Sequence, residues 1–395
     1  MMETFFATCP RGLEEVLSLE LQALGGQEIR STPGGVECQG HFSLCYRLNL
    51  ESRIASRILW RVGQGWYRDE EDLYRLASCL PWPEYFSVDC HIKVRIIAQH
   101  SPLKSLDFAT LRVKDAICDR FVRATHARPE VSKRQPDIQI VVFVDHDHVV
   151  WYLDTSGDPL FKRGWRKVAG DAPIRENLAA GILRLSGWTG ERDLLDPMCG
   201  AGTFLIEAAL MAKKIAPGRG REFAFRHLRN FDLTIWDQVR QESMQPIIPV
   251  PGPAIFGYDE DANALIMARK NIEGLGLEDI HLGQVDVLEV IPPGPNGFLV
   301  TNPPYGVRMG DRLELEQWYP KFGNLLKQRF AGWKVCVLTA DARLPKLIHL
   351  APSRKIPLFN GPLESRLYEF QMVAGGNRKS ARQARQQAGN ERGLT

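Results

Sequence analysis

In the second half of the sequence, Leu194-Leu195-Asp196-Pro197-Met198-Cys199-Gly200-Ala201-Gly202-Thr203-Phe204 sets a carboxylate at the end of an apolar strand, with small residues directly after it. A helix then opens with Leu205-Ile206-Glu207-Ala208-Ala209-Leu210. Glycine at 200 and 202 lets the backbone approach a nucleotide-like ligand closely. Asp196 would face a cationic group instead of a pyrophosphate. That favours S-adenosylmethionine (SAM), with its ammonium and sulfonium, over a dinucleotide. A Gly-x-Gly turn alone is often only a turn.

Two further acids extend the pattern. In Gly257-Tyr258-Asp259-Glu260-Asp261, Asp259 ends the next strand and suits hydrogen bonds from ribose hydroxyls, while Asp261 caps the following helix. Asp259 lies 63 residues beyond Asp196, whereas a compact nucleotide fingerprint needs roughly 20. The Arg/Pro-rich stretch 214–253 is therefore read as an insertion. Val285-Asp286-Val287 places a third acid where it could accept a hydrogen bond from an adenine amino group; an exposed turn acid is the plainer alternative.

Leu299-Val300-Thr301-Asn302-Pro303-Pro304-Tyr305-Gly306 carries the reacting end. The lone pair of an exocyclic amine on a base ring is delocalised, so its methylation depends on alignment. The Asn302 side-chain oxygen and the Pro303 carbonyl can accept its two hydrogens, and the prolines fix the backbone there. Tyr305 can stack on a base taken out of its helix or loop. No dedicated general base stands out, so the proton would leave after transfer.

The elements that must position these residues are legible as periodicities. Strands are expected at Thr4–Thr8, Gly34–Gly40, Cys90–Ala98, Ile138–Asp145 and Val149–Asp154, with helices at Gly12–Leu24, Phe42–Val62, Asp69–Leu80 and Leu106–Ala124. From about residue 172 strand–loop–helix units repeat. Their strands are Asp193–Asp196, Ala254–Asp259, His281–Val287, Phe298–Thr301 and Lys334–Thr339, and their helices begin near Thr203, Ala262 and Leu315. The fold class is α/β.

Several of these stretches are specific to one family. Ala7-Thr8-Cys9-Pro10-Arg11-Gly12-Leu13-Glu14-Glu15, Arg53–Ile58, Arg112–Ile117, Leu153–Asp158 and Arg163-Gly164-Trp165-Arg166 precede Ala172–Ala180, Asp196–Phe204 and Asn302–Arg308. Together they resemble THUMP-domain methyltransferases of RNA guanine 2-amino groups, and most of all the N-terminal half of the bacterial 23S ribosomal RNA guanine-N2 methyltransferase. The resemblance implies a ferredoxin-like element (1–65), a THUMP RNA-binding domain (66–155) and a Rossmann-like SAM-dependent methyltransferase domain (160–375), followed by a basic flexible tail (376–395). It implies SAM binding by Asp196, Gly200, Gly202, Asp259 and Asp286, and a target base held at Asn302, Pro303 and Tyr305. Arg175 and Asn177 would lie on the segment leading into the SAM pocket. The bacterial proteins often carry a second methyltransferase half, which is not expected within these 395 residues.

Composition sets the bounds. A 44% hydrophobic and 25% charged chain of 395 residues is globular. Its net charge of +3 hides segregation. Residues 101–135 hold eight basic residues against four acids, 159–170 four against none, 213–229 six against one and 376–395 five against one. With Trp165 and Phe223 as interleaved aromatics, these windows point to RNA contact, and the resemblance implies 23S rRNA or its precursor first and tRNA second. Eight scattered cysteines form no zinc-ligand spacing, and no run reaches the roughly 18 apolar residues of a membrane span. A cytoplasmic monomer without metal is expected. The rivals are a tRNA guanine methyltransferase, a DNA adenine-amine methyltransferase and a non-catalytic RNA-binding assembly factor.

Overall fold

Phe5 and Ala7 alternate with less buried neighbours, and the computed structural model, which describes residues 2–168, 173–244, 252–303 and 309–374, turns both into the core from strand β1 (Glu3–Thr8). Strands β2 (Gln27–Thr32), β3 (Gly35–Gly40), β4 (Arg57–Trp66), β5 (Ile92–Gln99), β6 (Ile138–Asp145) and β7 (His148–Asp154) complete a seven-stranded sheet. Its order is β2-β3-β1-β4-β7-β6-β5, antiparallel except for the parallel pair β5–β6. Strand β4 pairs with β1 through Arg57–Trp60 and with β7 as far as Trp66. The two stretches expected as separate modules, 1–65 and 66–155, thus share one continuous sheet.

That strand corrects the long helix expected over Phe42–Val62. The helix is Ser43–Glu51, and it stops where the Glu20 carboxylate accepts hydrogen bonds from the Ser52 hydroxyl (2.6 Å) and the Arg53 N–H (2.9 Å). Beyond that turn Ile58, Leu59 and Trp60 are consecutive buried strand residues. A run of this kind satisfies a helical period as easily as a fully buried strand. The sequence also missed β2, whose residues are mostly exposed and offer no apolar pattern.

The expected insertion is real, and its destination is the first unit. Ala216–Pro246 forms one compact unit with Met1–Gly164, and the second unit is Trp165–Ile215 with Ile247–Thr395. Within the first unit the Tyr46 ring packs against Phe225 (4.8 Å between centroids) and Trp236 (6.0 Å). Phe225 N–H donates to the Thr155 carbonyl and Asp232 N–H to the Tyr46 hydroxyl.

A polar staple lies beneath this aromatic cluster. Buried Asn49 donates to the Cys45 carbonyl (2.9 Å) and the Thr155 hydroxyl (2.9 Å), and accepts from the Ser156 hydroxyl (2.6 Å). Thr155 donates onward to the Ile58 carbonyl (2.7 Å). The first-element helix, β4 and the exit of β7 are thereby joined through one side chain.

In the second unit β8 (Leu194–Asp196), β9 (Ile255–Asp259), β10 (Ile280–Gln284), β11 (Gly297–Thr301) and β12 (Trp333–Thr339) run parallel. The hairpin β13 (Arg354–Asn360) and β14 (Leu363–Gln371), which the sequence did not announce, adds antiparallel strands to give β10-β9-β8-β11-β12-β14-β13. The helix expected near Leu315 opens at Met309. Leu195, Leu299, Val335, Val337, Phe322 and Trp333 belong to one buried cluster behind the strand ends.

Asn49→Ala should lower the unfolding free energy of the first unit by about 2 kcal/mol, because it leaves buried Thr155 and Ser156 hydroxyls short of partners. Urea unfolding followed by far-UV circular dichroism checks this, and an unchanged midpoint would contradict the staple.

Candidate active site at the carboxyl edge of the second sheet

The order in which the parallel strands are laid down reverses between β8 and β11, and the crevice beyond the carboxyl ends of such strands is where open α/β sheets bind ligands. Asp196 ends β8 and Asn302 directly follows β11, on the two sides of that point. Asp196 is 1% exposed. Of its contacts, the Met198 N–H donates to Oδ1 at 3.2 Å. Burial pushes the carboxyl up to about 7; the Asp259 charge adds to the rise, while Thr301 and the Met198 N–H oppose it. No salt bridge to Asp196 is present among the described residues. A cation brought beside such a carboxyl would favour its charged form.

The loop after it is held by its neighbours. Cys199 N–H donates to the Tyr258 carbonyl and Gly200 N–H to Asp259 Oδ2, both at 2.9 Å. Gly200 (φ +54°) has open space where a Cβ would project, whereas a Cβ on Gly202 (φ +82°) would press on Ala268 at 3.3 Å. The first glycine leaves room for a ligand and the second allows close packing. Asp259 spends its other oxygen on the Asp261 N–H (3.0 Å), and Asp261 caps the helix Ala262–Ile272 as read from the sequence.

Asp286 lies two residues beyond the end of β10, is exposed, and caps the short turn Val287–Glu289 through the Leu288 N–H (2.9 Å). The strand expected to run through it ends at Gln284. Asn302 is half-buried, and its Oδ1 is shielded from water with no hydrogen-bond partner among the described residues. Pro303 is buried. Tyr305 lies outside the described residues, as does the basic tail. Asn177 is fully buried, and Arg175 precedes its helix with the guanidinium beside Gly361 in the β13–β14 turn.

Three residues do structural work here that the sequence did not disclose. Buried Asn271 accepts from the Lys167 N–H (2.8 Å) and Val168 N–H (3.0 Å), and donates to the Val168 and Ala201 carbonyls. Arg166 donates to Glu176 (2.7 Å), the Ile174 carbonyl (3.1 Å) and the Thr203 hydroxyl (3.0 Å). Between them they sew the segment entering the domain onto the glycine loop. Gly257 is required by packing, since a Cβ would meet Leu205 at 2.2 Å; a glycine inside a strand was the available signal.

The same contacts revise the basic windows. Trp165 (6% exposed) and Phe223 (3%) are core residues and present no face for stacking. Arg163 donates to the carbonyls of Leu160 and Arg53, and Arg221 to those of Asp158 and Pro159. Lys213 pairs with Asp279, Arg226 with Glu222 and Arg112 with Glu71. Much of the counted positive charge is therefore structural.

Comparison with known proteins follows the same division. The methyltransferase domain described as RMKL-like matches residues 163–369, an RlmL ferredoxin-like domain 4–59 and a THUMP domain 67–154. Ribosomal RNA large subunit methyltransferase K/L of Aeromonas hydrophila is 37% identical over 94% of this chain; the chain spans little more than half (55%) of that relative's length. Among solved structures, a possible methylase from Clostridium difficile 630 is 28% identical with a TM-score of 0.87, covering 96% of this chain and all of that one. A putative methyltransferase, SMU.472, complexed with SAH, is 31% identical with a TM-score of 0.85 over 95% of this chain and 99% of its own.

Asp196 also gives a pH test. Its folded-state value near 7 stands above the ordinary 3.8. The ligand-free fold therefore holds this group's full stabilising contribution below about pH 4 and loses it as pH rises through about 7. Asp196→Asn removes that loss, so the ligand-free variant should melt several degrees above the parent chain at pH 8 and alongside it near pH 4. Differential scanning fluorimetry across the range reads both, and equal melting at pH 8 would refute a strained carboxyl.

Proposed function

Because the chain belongs to the RMKL-like methyltransferase family, with RlmL-type ferredoxin-like and THUMP domains in front, we propose that it converts a guanosine of 23S ribosomal RNA to N2-methylguanosine with SAM as methyl donor. The observation that carries this is one edge of one sheet holding both a sealed carboxyl awaiting a cation and a shielded amide oxygen awaiting a donor. The residues present fit SAM. Asp196 would take the cationic methionine end, the Gly200–Gly202 loop would lie against the ligand, Asp259 would accept from the ribose hydroxyls and Asp286 from the adenine amino group. When bound, SAM supplies an electrophilic methyl carbon.

Asn302 Oδ1 and the Pro303 carbonyl accept the two hydrogens of the guanine 2-amino group. That fixes the direction of the nitrogen lone pair, and alignment is where most of the rate arises. As the N–C bond forms the S–C bond breaks, and the proton leaves the nitrogen for solvent after transfer. Tyr305 stacks on the base once it is out of its helix or loop. The THUMP domain supplies the RNA contact, in a cytoplasmic monomer whose eight unpaired cysteines suit a reducing compartment.

Incubation with methyl-labelled SAM and separate 23S rRNA, tRNA and DNA substrates, followed by nucleoside mapping, tests the reading. Label should appear as N2-methylguanosine in 23S rRNA, and Asn302→Ala should lower the rate by about 100-fold or more with little change in SAM affinity. Label in tRNA or DNA alone would replace the substrate. Full activity of the variant would remove Asn302 from the site.

A further inference from the structure

The catalytic edge leaves unused a cluster at the far end of the THUMP strands. Strands β5 and β6 run parallel, so their carboxyl ends, Gln99 and Asp145, lie side by side. The next residue of each strand is a histidine. His100 and His146 both hold left-handed backbones (φ +48° and +50°), a conformation uncommon for residues with a Cβ. The His146 N–H donates to the Gln99 carbonyl (3.3 Å), which ties the β6–β7 turn to the exit of β5.

Both imidazoles turn the same nitrogen to one carboxylate oxygen. His146 Nδ1 is 2.9 Å and His100 Nδ1 3.4 Å from Asp145 Oδ1, the rings are 5.0 Å apart, and the three donor atoms fall within 4.8 Å of one another. Bonds of about 2.0–2.2 Å to a first-row divalent ion put neighbouring donors roughly 2.8–3.1 Å apart in an octahedral shell and roughly 3.3–3.6 Å in a tetrahedral one. The 2.9 Å separation, now a hydrogen bond, falls in the octahedral range and the 3.4 Å separation in the tetrahedral one, so a few tenths of an ångström of side-chain movement brings both onto one shell.

We propose that His100, Asp145 and His146 form a binding site for a divalent transition-metal ion of the zinc or nickel class. Two imidazoles and one carboxylate favour such ions over magnesium or calcium, which prefer all-oxygen shells. The side chains are exposed to half-buried, so water completes the shell and binding is reversible. An ion here clasps the exit of β5 to the β6–β7 turn and offsets the acidic pair Asp145 and Asp147 at that end of the sheet. The site lies in the THUMP domain, and its occupancy is independent of the methyl-transfer reading.

Isothermal titration of the untagged full chain with nickel(II) tests it. One equivalent should bind, and the ion should raise the melting temperature. His100→Asn and His146→Asn should each weaken binding by at least about tenfold, since asparagine tolerates the left-handed backbone and keeps the fold. Magnesium at the same concentration should give no heat of binding. Absence of saturable nickel binding, or affinity unchanged from the parent chain in both variants, would overturn the assignment; the latter would place the ion at another group, such as exposed Cys79 or the His91–Asp137–His227 cluster.

Discussion

Asp196 is a carboxyl removed from water before any cation is there to compensate it, and the second unit is arranged around that imbalance. Strands β9 and β11 flank β8 and exclude solvent from its end, so the side chain cannot relax into water. The loop that follows is tied to its neighbours as well. Cys199 and Gly200 are bonded to β9, Ala201 is held by Asn271, and Thr203 is held by Arg166. Burial disfavours the charged form of the carboxyl, and the Asp259 charge adds to that.

The first unit solves a different problem. Two small modules, each short of core, share one sheet through β4 and then recruit a segment from the middle of the second domain to cover Tyr46 and its neighbours. Charge is handled with similar economy. Many of the arginines and lysines that suggest an RNA surface by count are bonded to carbonyls or paired with acids. With so many cations spent inside the fold, net charge is a poor guide to how the surface would attract a polyanion.

The methyltransferase strands and their acids were readable because each signal is local. A strand end, a glycine and a helix start fall within ten residues at Asp196, and Asp261 announces its cap by type and position. Residues that act across distance left no such trace. Asn271 looks like a surface residue of an amphipathic helix until its partners, about 70 and 100 positions earlier, are brought to it. His100 and the Asp145-His146 pair meet only because two parallel strands end together. Trp165 and Phe223 misled for the converse reason: an aromatic beside an arginine reads as a nucleic-acid contact, and here both rings are packed into core.

The excursion of Ala216–Pro246 bears on the order in which the protein can be built. During synthesis the first unit has all seven strands of its sheet by Gly164, yet Tyr46 lacks its cover until Trp236 has emerged. At about 5–20 residues per second that is a wait of several seconds, during which the first strand of the methyltransferase sheet also appears. Folding cannot then proceed one finished domain after another. The two units must mature together, and a fragment ending near Gly164 would display an aromatic face that the intact chain hides.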